Sequence, residues 1–367
     1  MNSGSIRIEN PRSRAELTDF ARLPYLVYAD RKAWWPPDIQ NEIDLLSHRS
    51  PLSSVLEIEP FIARREGKIV ARVSAVINHR YNTHWKEQLG QLIHFEALPD
   101  EDQAAAMLLV AAATWLRERA MTAARSGFAA FLDYPYAIDN YGEFPSFLLR
   151  ANPAYYHRYL KNAGFETERA QLDYTAHLTP EVLVRYRGML DAARRGGVEL
   201  RSWREFGFLA AIDAWTSVTN IAFREHWGWN PVTNAEVRPM LSSLWETPVS
   251  DLSMIATIDR QVVGAVFCVP DLSDALATLK RGVKLAPDKG GGTRGALINV
   301  GVIDEARSRG VARAMAARSF LEMHRQGMQY AGYTLVLDDN WPSRRCAESL
   351  GARVTSNFMT YRRNLRA

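Results

Sequence analysis

Residues 302–316, VIDEARSRGVARAMA, decide how the rest of the chain is interpreted. They join an apolar run, ALINVGV, to a predicted helix without Ser, Thr or Asn at its start. Backbone N–H groups at an uncapped helix start are unpaired and lie at the positive end of the helix dipole. Gly310 and Ala312 leave that backbone uncovered, while the side chains of Arg307 and Arg309 add positive charge. The stretch predicts a phosphate or pyrophosphate site, and the alternative is a solvated first helical turn.

Two common phosphate-binding loops are excluded. No Gly-Lys-Ser/Thr follows Gly310, so the stretch is not a P-loop, and the three-glycine dinucleotide pattern is absent. The glycine-rich segment 285–295, LAPDKGGGTRG, is not a Walker loop either. We expect that segment to be a loop beside the mouth of a ligand site or a plain solvent loop.

Length and composition indicate a globular protein of two domains. The chain has 367 residues, of which 47% are hydrophobic and 23% charged, so a fibrous or disordered class has no support. The net charge of +4 suits anionic ligands or an anionic membrane surface and is too small to indicate nucleic-acid binding. Cys268 and Cys346 fit no metal or disulfide spacing, and neither a signal peptide nor a membrane-spanning apolar run is found. We therefore expect a cytoplasmic protein and leave peripheral membrane contact open.

The two halves of the chain repeat one predicted order of elements. In each half, three strands precede a long helix, a fourth strand and a shorter helix that begins at Asn and ends at Gly. Asn152 and Asn340 begin the equivalent short helices, and the first long helix is predicted over residues 102–127. Alternating apolar runs around residues 66–68 predict a β-hairpin. This repeat indicates duplication of one α/β unit, with helices on both faces of mixed sheets.

The spacing around Gly310 resembles that of a known fold family. The pattern Val302-x-x-x-x-Arg307-x-x-Gly310-x-Ala312, then a long helix, a strand, Asn340 and a helix ending Leu350-Gly351-Ala352, is similar to the acyl-coenzyme A (acyl-CoA) signature of the GCN5-related N-acyltransferases (GNAT). The resemblance implies an α/β tandem GNAT fold with mixed central sheets flanked by helices. It also implies a degenerate N-terminal GNAT-like domain at 1–178, a connecting helix at 179–197 and a C-terminal GNAT domain with the acyl-CoA site at 198–367.

The resemblance implies an acyl-CoA as co-substrate. The strand before residue 302 would pair with the pantetheine arm, and the amides at the helix start would hold the pyrophosphate. The implied acyl-CoA residues are Val300, Val302, Arg307, Arg309, Gly310, Val311, Ala312, Ala314 and Asn340. No metal is expected, because His79, His84 and His94 lack metal-ligand spacing.

Direct acyl transfer to an amine needs a base for the ammonium proton, and it needs stabilisation of the oxyanion and the departing thiolate. A backbone N–H near Val302 is the oxyanion donor that the resemblance implies. Glu225 and His226, in AFREHWGWNP, are the candidate bases, and the alternative is a surface Glu beside a packed His. No Gly-x-Ser-x-Gly elbow or reactive-cysteine context occurs, so no covalent acyl-enzyme is expected.

The acid that protonates the thiolate departs from the family's pattern. Ala347 stands where the family commonly has Tyr. Either the thiolate leaves unassisted, because its pKa lies far below that of an alcohol, or Tyr333 or Tyr361 serves as the acid. The alternative role for both tyrosines is packing.

The first copy departs in the opposite way. Tyr155, Tyr156 and Tyr159 lie in its short helix, but no Arg-x-x-Gly follows the stretch GQLIHFEALPDEDQ. We expect this copy not to bind coenzyme A at the equivalent place, and either to shape the acceptor site or to support the second copy.

The acceptor is implied by resemblance alone. The patterns VYADRKAWWPP, NPAYYHRYLKNAGFE and LDDNWPSRRCAESLGA are similar to those of a group of bacterial two-copy proteins. That group includes acyltransferases that acylate a long-chain (sphingoid) amino base in ceramide synthesis. The implied function is an acyl-CoA N-acyltransferase with such a lipid amine as acceptor. The alternatives are an acetyltransferase for a small polar amine and a non-catalytic acyl-CoA-binding module. The aromatic clusters at 34–37 and 227–229 are predicted to pack in the core or to line an apolar channel.

Overall fold

A computed structural model describes residues 4–31, 34–130, 132–143, 145–146, 149–271 and 294–366. Contacts within the chain divide it into unit 1, Met1–Ala170 with Phe358–Ala367, and unit 2, Gln171–Asn357. This division differs from the segments 1–178, 179–197 and 198–367 expected from the sequence. Residues 171–197 lie in unit 2, and residues 358–367 lie in unit 1. Most of the glycine-rich segment 285–295 lies outside the described residues.

Unit 1 contains most of the first copy of the repeat. Its strands are β1 (Ile6–Glu9), β2 (Leu56–Arg65), β3 (Lys68–Asn78), β4 (Leu89–Ala97), β5 (Ala123–Ser126), β6 (Tyr136–Ala137) and the first residues of β7 (Glu166–His177). Its helices are α1 (Arg14–Val27), α2 (Ile39–Leu46), α3 (His79–Trp85), α4 (Asp102–Glu118) and α5 (Tyr156–Asn162).

Unit 2 contains most of the second copy. Its helices are α6 (Pro180–Arg195), α7 (Trp203–Phe206), α8 (Phe208–Ala222), α9 (Asn234–Leu244), α10 (Val249–Leu252), α11 (Val311–Arg325) and α12 (Trp341–Ser349). Its strands are β8 (Val198–Ser202), β9 (Met254–Ile258), β10 (Gln261–Pro270), β11 (Arg294–Val302), β12 (Tyr330–Leu337) and the first residues of β13 (Arg353–Asn364).

The two copies exchange their final strands. In unit 1 the strand order is β1-β2-β3-β4-β5-β13, and of the described pairs β4 with β5 is parallel. In unit 2 the order is β7-β12-β11-β10-β9-β8, and β11 with β12 is the parallel pair described there. The final strand of the first copy, β7, pairs with β12, and the final strand of the second copy, β13, pairs with β5. This exchange explains why the units do not follow the boundaries expected from the sequence.

The helices of unit 2 give strand β11 two different faces. Helix α11 covers the core face, against which Val300 and Val302 pack. Helix α8 covers the other face, where a Cβ at Gly301 would lie only 3.1 Å from the Cβ of Ala222. Glycine at 301 therefore allows α8 to approach β11 closely, and the alternation of a strand places Asn299 on the same α8 face.

Two local predictions are wrong. The helix predicted over 102–127 ends at Glu118, and Ala123–Ser126 forms β5, because parallel pairing with β4 outweighs the helical propensity of the Ala-rich sequence. Asn152 does not cap the helix that follows it. Its side chain bonds instead to both backbone groups of Ala137.

The hairpin predicted in the first half is confirmed. β2 and β3 pair in antiparallel register down to Arg65 opposite Lys68. The two turn residues, Glu66 and Gly67, have φ angles of 50° and 80°, as a two-residue hairpin turn requires.

Candidate functional site

Helix α11 begins without a side-chain cap, as its sequence predicts. Its N-cap residue is Gly310, at a left-handed φ of 74°. The Ala314 N–H donates to the Gly310 carbonyl at 2.9 Å, which leaves the amides of residues 310–313 at the helix end. A Cβ at Gly310 would meet only the Arg313 guanidinium, at 3.8 Å. The anion cradle, as we call these amides of 310–313, is open. The Ala314 amide bonds within the helix, and the contact of Ala314 with acyl-CoA stays a prediction.

The two arginines predicted to add charge lie in the loop before the cradle. Arg307 forms an ion pair with the Asp304 carboxylate at 2.9 Å and donates a hydrogen bond to the Ala222 carbonyl at 3.3 Å. Arg309 donates to the Gly196 carbonyl at 3.0 Å. A guanidinium carries five N–H donors, so both side chains keep donors for an anion while these contacts hold them in place.

A third cation at the cradle, Arg313, was missed by the sequence analysis. Its side chain is exposed and faces Gly310, and its charge reaches Cys346 of α12, whose pKa it lowers against the larger raising effect of burial. The available signal was its position three residues after Gly310, which is one turn along the same side of a helix.

Strand β11 has an open edge on the side of β12. Parallel pairing of the two strands ends at Leu297 opposite Tyr333. The next residue, Ile298, is a β-bulge against β10, and such a bulge bends its strand. Within the described ranges, no strand pairs with residues 298–302 on this side.

The valines of β11 present their backbone groups to this open edge. The Ile303 N–H donates to the Val263 carbonyl of β10 at 3.0 Å. Because successive residues of a strand direct their backbone groups to opposite sides, those of Val302 and Val300 face away from β10. An extended ligand can therefore add to this edge as a further strand would.

The turn that follows α8 brings His226 to the α8 face of β11. The Phe223 ring would lie 3.6 Å from a Cβ at Gly301, and its centroid lies 5.3 Å from that of the His226 ring. His226 is half-buried, with Nδ1 3.2 Å from the Trp227 carbonyl oxygen. Burial lowers the pKa of His226 below its ordinary value of 6.5, against a smaller opposing effect of Asp339. The imidazole is therefore neutral at pH 7 and able to accept a proton.

Glu225, the other candidate base, lies in the same turn and points into solvent. Its side chain is 87% exposed and lies 3.7 Å from the Arg224 guanidinium. Arg224 in turn pairs with Asp304 at 2.5 Å. The structure thus separates two neighbouring candidates by burial, which the sequence alone did not do.

Helix α12 has no tyrosine near the site. Ala347 is fully buried in the core of unit 2, where a tyrosine would not fit without repacking. The Tyr333 hydroxyl lies 3.1 Å from Ser343 Oγ, and burial raises the pKa of Tyr333 well above its usual range. Asn340 caps α12 by accepting from the Ser343 N–H at 3.2 Å, so its contact with acyl-CoA stays a prediction.

Tyr361, the alternative acid, lies in unit 1. Its hydroxyl is 2.6 Å from Nδ1 of His157, and its ring packs edge-on against Tyr136. Burial raises the pKa of Tyr361 to about 12. These contacts give Tyr361 a packing role in unit 1, and its catalytic role stays a prediction.

In unit 1 the edge equivalent to that of β11 is filled by the protein's own side chains. The Ala97 N–H of β4 donates to the Tyr156 hydroxyl at 2.9 Å, and the Tyr155 hydroxyl donates to the Ala97 carbonyl at 2.9 Å. The Glu101 N–H, at the start of α4, donates to the Tyr159 hydroxyl at 3.0 Å. The three tyrosines of the short-helix region thus occupy the backbone groups that remain open in unit 2.

The aromatic clusters lie in different units. Trp34 is buried in unit 1, with its ring stacked on Tyr28 at a centroid distance of 4.9 Å. Trp229 lies in unit 2, 5.2 Å from the Phe223 ring and in the same turn as His226. Trp34 therefore packs in a core, and Trp229 lies beside the candidate base.

The described residues also give negative findings. They contain no group of three or more His, Cys, Asp and Glu side chains that could hold a metal ion. No helix in the described ranges is long and apolar enough to cross a membrane.

The fold and the strand–helix site define a class of protein, with two copies of the GCN5-related N-acetyltransferase (GNAT) fold. A tandem GNAT protein from the clavulanic acid biosynthesis pathway is similar with a TM-score of 0.58 and 11% identity, over 99% of both chains. A GCN5-related glucosamine N-acetyltransferase region of a fungal multi-domain β-N-acetylglucosaminidase has the same TM-score at 15% identity. That match covers 98% of this chain and 38% of the longer fungal chain. These likenesses confirm the predicted tandem GNAT fold.

A relative with an assigned enzymatic activity is also similar in sequence. The bacterial ceramide synthase of Caulobacter vibrioides is 27% identical over 274 residues, which cover 73% of this chain and 71% of that relative. No protein-family model matches the chain. The fold and this relative together identify the chain as an acyltransferase.

Proposed function

We propose that unit 2 binds an acyl-CoA and transfers its acyl group directly to a primary amine. One observation carries the proposal: the open edge of β11 leads to the uncapped start of α11. A ligand that combines an extended amide-containing arm with a pyrophosphate matches these two features in that order. Coenzyme A has this combination.

The donor site is built from the backbone more than from side chains. The amides of residues 310–313 supply N–H groups and the positive end of the α11 dipole, both of which favour a pyrophosphate. Arg307, Arg309 and Arg313 add charge around them. The backbone groups of Val300 and Val302 are placed to pair with the amides of the pantetheine arm.

The chemistry requires a neutral base beside the thioester carbonyl. His226 is half-buried and neutral at pH 7, so it accepts the proton as the amine nitrogen attacks the carbonyl carbon. The Val302 N–H faces the open edge and is the proposed donor to the oxyanion. The carbon–sulfur bond then breaks and the thiolate leaves.

The thiolate needs little assistance. A free thiol has a pKa near 8.5, whereas an unperturbed tyrosine has a pKa near 10. Burial moves the pKa of Tyr333 higher still, which makes its phenol a weaker acid than the thiol it would protonate. We therefore propose that the thiolate leaves without a proton from Tyr333.

For the acceptor we propose the amine of a long-chain amino base. Support comes from the aromatic turn around Trp229 beside His226, and from a relative whose name is bacterial ceramide synthase. Peripheral contact with a membrane and a cytoplasmic location remain predictions of the sequence.

The test is turnover of purified protein. Acetyl-, octanoyl- and palmitoyl-CoA are each mixed with the protein, with and without a long-chain amino base, and release of free thiol is followed. Amine-dependent release with the long-chain donors is the expected result. Thiol release only with acetyl-CoA and a small polar amine would contradict the lipid acceptor and favour an acetyltransferase. Tight donor binding without thiol release under any acceptor would contradict catalysis and favour a non-catalytic acyl-CoA-binding module.

A further inference from the structure

Asn299 lies on the α8 face of β11, two residues before Gly301. Its Oδ1 accepts a hydrogen bond from Nε1 of Trp215 in α8 at 3.1 Å. Trp215 is 1% exposed, and its ring packs edge-on against Trp203 and Phe267 at centroid distances of 6.2 and 6.0 Å. The donor of this bond is therefore fixed by its packing.

This bond determines which end of the Asn299 amide is available. The indole N–H is a donor only, so the amide atom that faces it must be the oxygen. The Nδ2 group then points away from Trp215, and Asn299 is half-buried at the edge of the core. Among the residues that the structure describes, none accepts a hydrogen bond from Nδ2. Asn299 thus presents an oriented N–H donor that no described residue uses.

The donor shares its surface with the proposed base. Gly301 packs against the end of α8, and Phe223 joins that end to the turn that holds His226. Two residues of strand span roughly 7 Å, so the Asn299 side chain lies within reach of a molecule whose amine is beside His226, next to the Phe223 ring that packs on Gly301. Val300 and Val302, by contrast, pack toward the core on the other face.

We propose that Asn299 binds an oxygen atom of the amine acceptor through Nδ2, with Trp215 as its positioning residue. The inference rests on the proposed function and narrows the acceptor class. Because Nδ2 is a donor only, the acceptor carries a hydroxyl or carbonyl oxygen close to its amine. A plain alkylamine satisfies the base but leaves this donor without a partner in a partly desolvated site.

The test compares two acceptors of equal chain length with one acyl-CoA, namely a long-chain 2-amino alcohol and the corresponding primary alkylamine. The measured quantity is the ratio of their kcat/KM values. In the wild type we expect the amino alcohol to be favoured about tenfold, the size of one neutral hydrogen bond. In Asn299→Leu, which has a similar volume and no donor, the ratio is expected to fall to about one.

A double variant separates recognition from folding. Asn299→Leu alone leaves the buried Trp215 N–H without its hydrogen-bond acceptor. Trp215→Phe combined with Asn299→Leu removes both partners of the bond. The double variant is expected to recover thermal stability while its acceptor ratio stays near one. Trp215→Phe alone frees the amide to rotate, and an intermediate ratio is expected.

The outcomes are distinct. An unchanged ratio in Asn299→Leu overturns the inference, and so does a double variant that regains the wild-type ratio, because the loss was then structural. A wild-type protein that releases no thiol with either acceptor overturns the proposed function, and with it this inference.

Discussion

The two copies of the repeat differ where a strand gives way to the long helix. In unit 1 the helix start carries Glu101, whose carboxylate pairs with Arg65 at 3.0 Å, with both side chains buried. Tyrosine hydroxyls bond the strand end beside it. In unit 2 the corresponding N-cap is Gly310, and no described strand covers the corresponding edge.

The difference shows how one backbone arrangement serves two purposes. A buried carboxylate at a helix start repels a phosphate, and tyrosines on a strand edge take the bonds that a pantetheine arm would make. In unit 2, Gly310 has no side chain at the helix start, so the helix start and the open strand edge are both available to a ligand. In the first copy, the protein's own side chains bond the backbone groups of the strand end and the helix start. In the second copy, a ligand must supply these partners.

The largest expected effect comes from giving the second copy the acidic character of the first. Gly310→Glu (G310E) places a carboxylate in the anion cradle, and we expect acyl-CoA affinity to fall about a thousandfold or more, because like charges meet at short range. Titration calorimetry measures the loss.

Gly327→Glu (G327E) is the matched control for this variant. Gly327 follows the other end of α11 at a φ of 89°, so it carries the same left-handed strain far from the cradle. Affinity should survive in G327E. Equal losses in both variants would mean that backbone strain, not charge, abolishes binding.

The next effect concerns the base. Replacing His226 by Gln (H226Q) removes the proton acceptor, and we expect kcat to fall about a hundredfold, within the range for a general base. The companion variant Glu225→Gln (E225Q) changes a solvent-exposed carboxylate and should lose less than about threefold. A larger loss in E225Q than in H226Q would assign the base to Glu225.

The pH profile gives an independent check on His226. Its pKa is lowered, and its neutral form is the active one, so activity should be complete at neutral pH and fall as the pH drops through a midpoint below 6.5. This acidic limb of kcat should be absent in H226Q. A midpoint above 6.5 in the wild type would contradict burial as the cause of the shift.

A stability effect is expected in the first copy. Glu101→Gln (E101Q) removes the carboxylate charge that pairs with the buried Arg65, and we expect the free energy of unfolding to fall by about 3 kcal/mol. Glu9→Gln is the control, because the Glu9–Arg64 pair is more exposed and should contribute less than about 1 kcal/mol. Urea unfolding measures both. A change in acyl-CoA affinity in E101Q would contradict the claim that this copy binds no donor.

The smallest effect is expected at Tyr333. Tyr333→Phe (Y333F) removes a hydroxyl that bonds Ser343, and kcat should change by less than about threefold, because the thiolate leaves without its proton. Ser343→Ala removes the other partner of the bond and serves as the control. A drop of thirtyfold or more in Y333F alone would make Tyr333 the acid.

The sequence predicted features that depend on neighbouring residues. The hairpin at Glu66-Gly67 follows from a turn that needs positive φ, and the order of elements follows from local periodicity. The open start of α11 follows from the missing cap before Val311.

Features that depend on distant pairing were not predictable. The sequence of Ala123–Ser126 is typical of the end of a helix, and it forms a strand because β4 and β13 pair with it on either side. The exchange of β7 and β13 between the units involves partners far apart in the sequence, and no local pattern indicates it.

The candidate site, too, was predictable only where its residues are adjacent in the sequence. The cradle was predicted because its residues are adjacent in the sequence, whereas the choice between Glu225 and His226 depends on burial, which one sequence does not reveal. The bond between Trp215 and Asn299 joins two elements that the sequence keeps far apart, so it could be found only from the fold.

The central claim is that the second copy alone binds the acyl donor, and the most direct measurement is the stoichiometry of acyl-CoA binding by titration calorimetry. A non-hydrolysable acyl-CoA analogue is titrated into the wild type, G310E and G327E. We expect one site per chain in the wild type and in G327E, and none in G310E. Two sites in the wild type, or one site that persists in G310E, would contradict it.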